Sequence, residues 1–466
     1  MAGKGIEAFA SLARGIPEVK KPVKRVPFTE KIFWTAIVVS IYLVMAEIPL
    51  YGVPSLPGDP FGMMRVIFAS RRGTLMELGI GPIVTAGLVL QLLVGSKIIQ
   101  LDMSKPRDRA VFTAANKVFA IIMTGFEASV FILGGMYGAL ETTIAILVFL
   151  QLLAAGIVVI LLDELVQKGW GLGSGISLFI AAGVAQRIYW DCFAPIPAQD
   201  GYFVGAILAL AQSIFAGDVG SILVRPMRLP DMTGFISMII IFIVIIYLEG
   251  LRVNIPISHA RFRGFRGSYP VKFFYVSNIP VILASALFAD VYLMSHILNS
   301  RFPDSFLTQI LGSVNPETGR PIGGLIYFLT PPRSISALIA DPLRAVVYTL
   351  LLIGVCVAFS ITWVEVAGLS SKDVAKQLID SGMQIPGFRR SERPIKEILD
   401  RYIPVVTVLG GIAVGLIAAV ADFFNTFGSG IGILLTTGIM WQYYQILMRE
   451  RIEEMYPGLS RLIGGE

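Results

Sequence analysis

Ten blocks of apolar residues, each about long enough to cross a bilayer as a helix, fill most of this 466-residue chain. They run over about Ile32–Val53, Gly79–Lys97, Phe112–Met136, Thr142–Leu162, Ser174–Tyr189, Thr233–Leu251, Phe273–Leu298, Ala345–Val366, Val405–Val420 and Gly430–Met448, the fifth and ninth being short. Charged residues make up 15% of the chain, against about 25% in soluble domains. The chain is therefore expected to be an all-α polytopic membrane protein. The basic, amphipathic start, residues 1–31, has no apolar core or small-residue cleavage site of a signal peptide, so the first span is expected to be retained.

Lys and Arg set the orientation. With the N-terminus in the cytoplasm, 28 of the 38 basic residues fall in cytoplasmic segments. Both termini are then cytoplasmic. The stretch Phe203–Ala216 is too short for a span and reads as an external or interfacial helix; counting it as a span would reverse the charge bias. The expected layout is an N-terminal half at 32–190, an external loop at 191–232, a C-terminal half at 233–448 with cytoplasmic loops at 252–272 and 367–401, and a cytoplasmic tail at 449–466. Five spans from an inside start finish outside, so the two halves run inverted, as in channels and transporters.

Several chemistries are disfavoured. Two cysteines and two histidines lie too far apart for a metal site, and no cofactor is expected. Glu127 is the one clear ionisable residue at membrane depth, where an ion-coupled transporter usually has several. Ser174, in GLGSGIS, lacks the first glycine of a rhomboid-type nucleophile, since Leu172 stands there. No strand precedes GWGLGSG, which is therefore no dinucleotide loop; close helix packing explains its glycines. No phosphate-binding Gly-x-x-x-x-Gly-Lys is present. An enzyme is not expected.

Four features remain. The segment Phe61–Glu77 is too charged to cross a bilayer and too apolar for a solvated loop. It runs into Gly79-Ile80-Gly81-Pro82, which bends the start of the second span, while Pro280 is expected inside the seventh, freeing the Val276 carbonyl. Ile80 and Val84 share one helix face, and Ile176 and Ile180 another. HARFRGFRGSYPVK reads as the tip of a β-hairpin. In the second cytoplasmic loop Ser370 and Asp373 form a capping box, Val374 and Leu378 give the helix an apolar face, and Gly382 ends it. Arg with interleaved Phe in these loops suits a phosphate-rich partner such as folded RNA.

The motifs LGIGPIVTAG, WGLGSGISLFIAAG, YPVKFFYVSNIPVILASALF and GFRRSE…RYIP closely resemble the SecY family, the large alpha subunit of the Sec protein-conducting translocon, and its archaeal and eukaryotic branch more than the bacterial one. The resemblance runs nearly end to end. It implies two five-helix halves around an hourglass pore, closed by an aliphatic ring at Ile80, Val84, Ile176, Ile180, Ile279 and Leu435. A short plug helix is implied at Phe61, Gly62, Met63, Met64, Arg65, Val66, Ile67, Phe68, Ala69 and Ser70. A lateral gate between the second and third and the seventh and eighth spans is implied, with Thr85, Glu127 and Asn278 as its polar cluster. Ribosome docking falls on Arg261, Arg263, Arg266, Arg389, Arg390 and Arg393. The implied partners are a single-span SecE-type subunit, a small beta subunit, the ribosome, signal-bearing nascent polypeptides, membrane lipid and optionally a cytosolic motor, with no direct DNA role. The implied function is a passive channel in the plasma membrane that moves secretory polypeptides across and releases transmembrane segments into lipid. A secondary transporter of a small solute with a discontinuous-helix site is the alternative class, and a ribosome anchor without a pore is a third.

Overall fold

The computed structural model describes residues 15–24, 26–53, 65, 69–95, 98–99, 101, 106–138, 140–198, 200–217, 220–225, 229–259, 266–276, 278–301, 305–313, 321–384 and 392–455. A helix stands at each of the ten expected spans: α1 (Phe28–Glu47), α2 (Gly81–Gly95), α3 (Pro106–Leu133), α4 (Thr142–Leu165), α5 (Gly175–Phe193), then the short α6 (Ala206–Ala216) and α7 (Gly220–Leu223), followed by α8 (Met232–Gly250) and α9 (Ile279–Arg301). The chain continues through short α10 (Phe306–Leu311), α11 (Leu325–Leu329) and α12 (Ile335–Ala340) to α13 (Pro342–Val366), the short α14 (Ser371–Asp380), α15 (Glu392–Phe423) and α16 (Gly430–Met455). Six helices among the described residues are long and apolar enough to cross a membrane by length and composition. The predicted external helix is α6, 11 residues long and ended by Gly217 in the left-handed region.

The expectation for Pro280 needs correction. Helix α9 begins at Ile279, so Pro280 lies in its first turn rather than within the span. A proline there forfeits an N–H that would have no helical partner anyway. Residues 273–276 ahead of the helix form bends and turns, not helix.

Most spans meet in one apolar core that includes Val38, Tyr42, Ile80, Phe179, Ile180, Ile245, Tyr348, Leu352 and Leu434. Tyr42 of α1 stacks on Phe179 of α5, ring centroids 5.0 Å apart. Helices α13 and α15 cross so closely that a Cβ on Gly415 would stand 3.0 Å from the Ile353 Cα. Small residues at such crossings let backbones approach where lipid offers no hydrophobic driving force.

The glycines of GWGLGSG also serve packing. A Cβ on Gly173 (φ +72°) would stand 2.7 Å from the Tyr443 hydroxyl, and one on Gly175 would stand 2.6 Å from the Asp163 Cα. Tyr443 donates to the Leu172 and Ser174 carbonyls, and Asp163 accepts from the Ile176 N–H at 3.0 Å. The loop into α5 is thereby fastened to α16 and α4.

A second core lies under the two basic loops, where Ile255, Val271, Val374, Ile395, Leu399 and Trp363 pack together. The predicted hairpin is β1 (Arg252–His259) paired antiparallel with β2 (Arg266–Lys272), Ile255 opposite Tyr269. A third strand, β3 (Met383–Gln384), pairs with the end of β1, so both loops share one sheet in the order β2-β1-β3. Two residues leave no periodicity to read, so this strand has no sequence signature. Helix α14 matches expectation: the Ser370 hydroxyl accepts from the Asp373 N–H at 3.4 Å, Val374 is buried, and Gly382 takes φ +77° just beyond the C-terminus.

Candidate functional site

The start of α2 creates the centre of the site. Gly79 takes φ +56°, a left-handed backbone that favours glycine. The chain then turns: the Gly81 N–H reaches the Leu78 carbonyl at 3.1 Å, and Val84 reaches Ile80 at 3.0 Å. Ile80 is thus fixed at the mouth of the helix, fully buried.

The other members of the expected aliphatic ring come together around one cavity. Val84, Ile176, Ile180, Ile279 and Leu435 all line a space of about 780 Å³. Ile80 does not line that space but belongs to the same buried core as Ile180 and Leu435. A second cavity of about 570 Å³ is lined by Tyr42, Glu47, Arg65, Ala69, Gly183 and Asp422 among others, and shares no residue with the first. Helix α5 runs from one to the other: Ile176 and Ile180 face the first, Gly183 and Gln186 the second. Ile180 and Gly183 are separated by about 4.5 Å of helix rise. The two cavities therefore approach within about one helical turn along α5.

Of the expected plug, Arg65, Ala69 and Ser70 are described; Phe61–Met64 and Val66–Phe68 lie outside the described residues. Arg65 is helical and buried, and its guanidinium pairs with the Glu77 carboxylate at 2.7 Å. Ser70 closes the turn by donating to the Arg65 carbonyl at 2.8 Å. Ala69 takes φ +47°, an unusual backbone for a residue with a side chain. Its carbonyl accepts from the buried Tyr42 hydroxyl at 3.1 Å. A Cβ on Gly183 would stand 3.7 Å from the Ala69 Cα, so Ala69 sits directly against α1 and α5. Glu77 also accepts from the Gly73 N–H. Arg65 and Glu77 are opposite charges on either side of a turn, and only the fold brings them together.

The residues expected at the gate are distributed. Thr85 and Glu127 are half-buried on α2 and α3. Asn278, buried, precedes α9 and donates to the Leu434 carbonyl of α16 at 2.9 Å. A Cβ on Gly438 would lie 2.8 Å from the Asn278 Nδ2, so glycine there makes room for the amide. Apolar contacts also join α2 and α3 to later parts of the chain. Leu88 of α2 packs on the cluster that holds Trp363, Ile279 and Leu283, while Met136, Tyr292 and Ile326 join the far end of α3 to α9 and α11.

Of the basic loop residues, Arg261, Arg263, Arg389 and Arg390 lie outside the described residues. Arg266 begins β2 opposite Ser258. Arg393 is almost wholly exposed and pairs with Glu397 one helical turn on, at 3.0 Å. No group of three or more His, Cys, Asp and Glu residues with metal-holding geometry occurs among the described residues.

Comparison with known families gives a match to SecY over residues 74–444, and the preceding residues 41–73 match the plug domain of Sec61p. The chain belongs to the SecY family. A protein translocase subunit SecY from Pyrococcus furiosus is 45% identical to it, the match covering 97% of this chain and 98% of that one. Another from Pyrococcus horikoshii is also 45% identical, covering 98% and 99%. Among solved structures, a protein-conducting channel matches with a TM-score of 0.79 and 41% identity over 96% of this chain and 98% of that one. Sec61 in the canine ribosome–channel complex from the endoplasmic reticulum matches with a TM-score of 0.77, 41% identity and the same coverage. As a SecY-family member this chain is a multi-pass membrane protein and a protein translocation channel, not an enzyme. The solute-transporter reading finds no support in these likenesses.

Proposed function

We propose that the six aliphatic residues Ile80, Val84, Ile176, Ile180, Ile279 and Leu435 form the waist through which this channel passes an unfolded polypeptide. The observation that carries the reading is the pair of cavities that approach within about one turn of α5, with five of these six aliphatic residues lining one of them. Such a constriction blocks ions by dewetting. It also releases a moving chain easily, because no hydrogen bond has to be broken at each step.

The segment 61–70 is the plug, and the Arg65–Glu77 pair holds it against the second span. Thr85, Glu127 and Asn278 belong to a lateral gate that opens to lipid, so that a sufficiently apolar segment partitions sideways. The closed gate is supported by the Asn278 bond and by the apolar contacts at either end of it. Arg261, Arg263, Arg266, Arg389, Arg390 and Arg393 receive a ribosome, a SecE-type subunit braces the two halves, and a small beta subunit or a cytosolic motor completes the working assembly. The membrane is the cell membrane with both termini in the cytoplasm, which the bias of basic residues supports.

Deletion of residues 61–70 tests the reading in a planar bilayer. A channel without its plug conducts ions at rest; unchanged resting conductance overturns the plug assignment. Ribosomes carrying a stalled, signal-bearing chain should be retained by the wild-type protein and lost on charge reversal at Arg389 and Arg390. Retention by the wild-type protein should itself fall as salt rises, and the deficit caused by charge reversal should narrow, because each phosphate contact steepens the salt dependence.

A further inference from the structure

The larger cavity carries a feature that the waist does not require. Five side-chain amides line it from five different segments: Gln91 on α2, Asn116 on α3, Gln167 after α4, Asn278 before α9 and Gln442 on α16. Its charged residues largely satisfy one another. Glu164 pairs with Lys117 and with Lys168, both at 2.8 Å, and Lys168 also pairs with Glu18. Asp163 accepts from Gln167 at 2.7 Å, and Asn278 is committed to Leu434. The remaining amides are Gln91 and Gln442, both exposed, and Asn116. The Asn116 Oδ1 is buried without a hydrogen-bond partner among the described residues. Across from it is Gly87, where a Cβ would stand 3.7 Å away and narrow the approach.

We propose that Gln91, Asn116 and Gln442 form a hydrogen-bonding belt that engages the peptide groups of an extended polypeptide as it enters the cavity. The inference rests on the translocation reading above and extends it to named groups. A carboxamide carries both a donor and an acceptor, as a peptide group does, and no charge. It therefore pairs with any sequence in the same way. The waist beyond offers only aliphatic surface, so a peptide group reaching it has shed water with no replacement partner, which is unfavourable. The belt supplies partners just before that point, on three helices around the entering chain. Each bond is weak in net terms and exchangeable, so the chain is held extended without being retained.

The test uses the full channel in proteoliposomes, with stalled and released nascent chains of two unrelated mature sequences behind the same signal. The triple variant Gln91→Leu, Asn116→Leu, Gln442→Leu should slow passage after the signal has engaged by about five-fold, the worth of about one net hydrogen bond, and equally for both sequences. Asn116→Gln alone should keep most of the wild-type rate, and Asn116→Ser serves as the milder variant if the triple one does not assemble. A wild-type passage rate in the triple variant overturns the belt, as does slowing confined to signal engagement or to one of the two sequences. If the wild-type protein passes no chain in the same vesicles, the translocation reading fails rather than the belt.

Discussion

Arg65 and Glu77 meet at 2.7 Å across the turn that precedes α2, the guanidinium 8% exposed and the carboxylate 1%. Removing one partner strands the other charge in a buried site, at a cost of about 3–5 kcal/mol. Glu77→Ala should therefore weaken plug closure and raise resting ion conductance in a planar bilayer. Replacing both residues with methionine should restore much of the seal, because no unpaired charge remains. A double variant as leaky as the single one would show that the charges act separately.

Asn278 joins the segment before α9 to α16 through the Leu434 carbonyl. With Asn278→Leu this link is lost, which costs the closed state about 0.5–1.5 kcal/mol, the worth of one net hydrogen bond. The gate should open for weaker signals. Translocation of substrates with graded signal hydrophobicity would then rise most for the poorest signals, and an unchanged ranking would exclude Asn278 from signal selection.

Arg225 is buried in the loop between the two halves. It pairs with Asp200 at 2.8 Å and donates to the carbonyls of Phe203, Val204 and Pro230. Arg225→Met should destabilise this loop by about 3–5 kcal/mol. The expected sign is protease cleavage near residues 200–230 under conditions where the wild-type protein resists.

Asp341 accepts from the Tyr327 hydroxyl at 2.6 Å and the Arg344 N–H at 3.1 Å. The hydrogen bond from Tyr327, followed by that from Arg344, holds its carboxyl below the usual carboxylate range. A depressed pKa contributes stability that is present above the ordinary value and is lost as pH falls through the lowered one. A fluorescent probe at position 339 should therefore report a docked segment through mildly acidic pH and release only below the ordinary carboxylate range. Asp341→Asn should remove that dependence.

The spans were legible because lipid demands long apolar runs, and each of the ten left one. The Ser370 cap and Gly382 stop were readable for the same reason: their chemistry is local. Pro280 was misplaced because periodicity does not mark where an apolar helix begins, and the non-helical residues 273–276, Phe-Phe-Tyr-Val, are as apolar as the helix that follows. Arg65–Glu77 and Asn278–Leu434 had no sequence signature. Twelve residues separate the first pair and over a hundred the second, and each contact exists only once the turn at Gly79 or the approach of α16 has been made. The resemblance to the SecY family named the ring residues; the fold adds that five of them line a single cavity.

The pairing of β3 with β1 makes one rigid handle of two loops that are more than a hundred residues apart in sequence. Val271 and Ile255 from its strands are buried with Ile395 and Leu399 of α15, so the handle is rooted in a long helix of the C-terminal half. A body that grips the handle at either loop applies torque to both. Force from outside the membrane thereby reaches that half as a whole instead of bending a single loop.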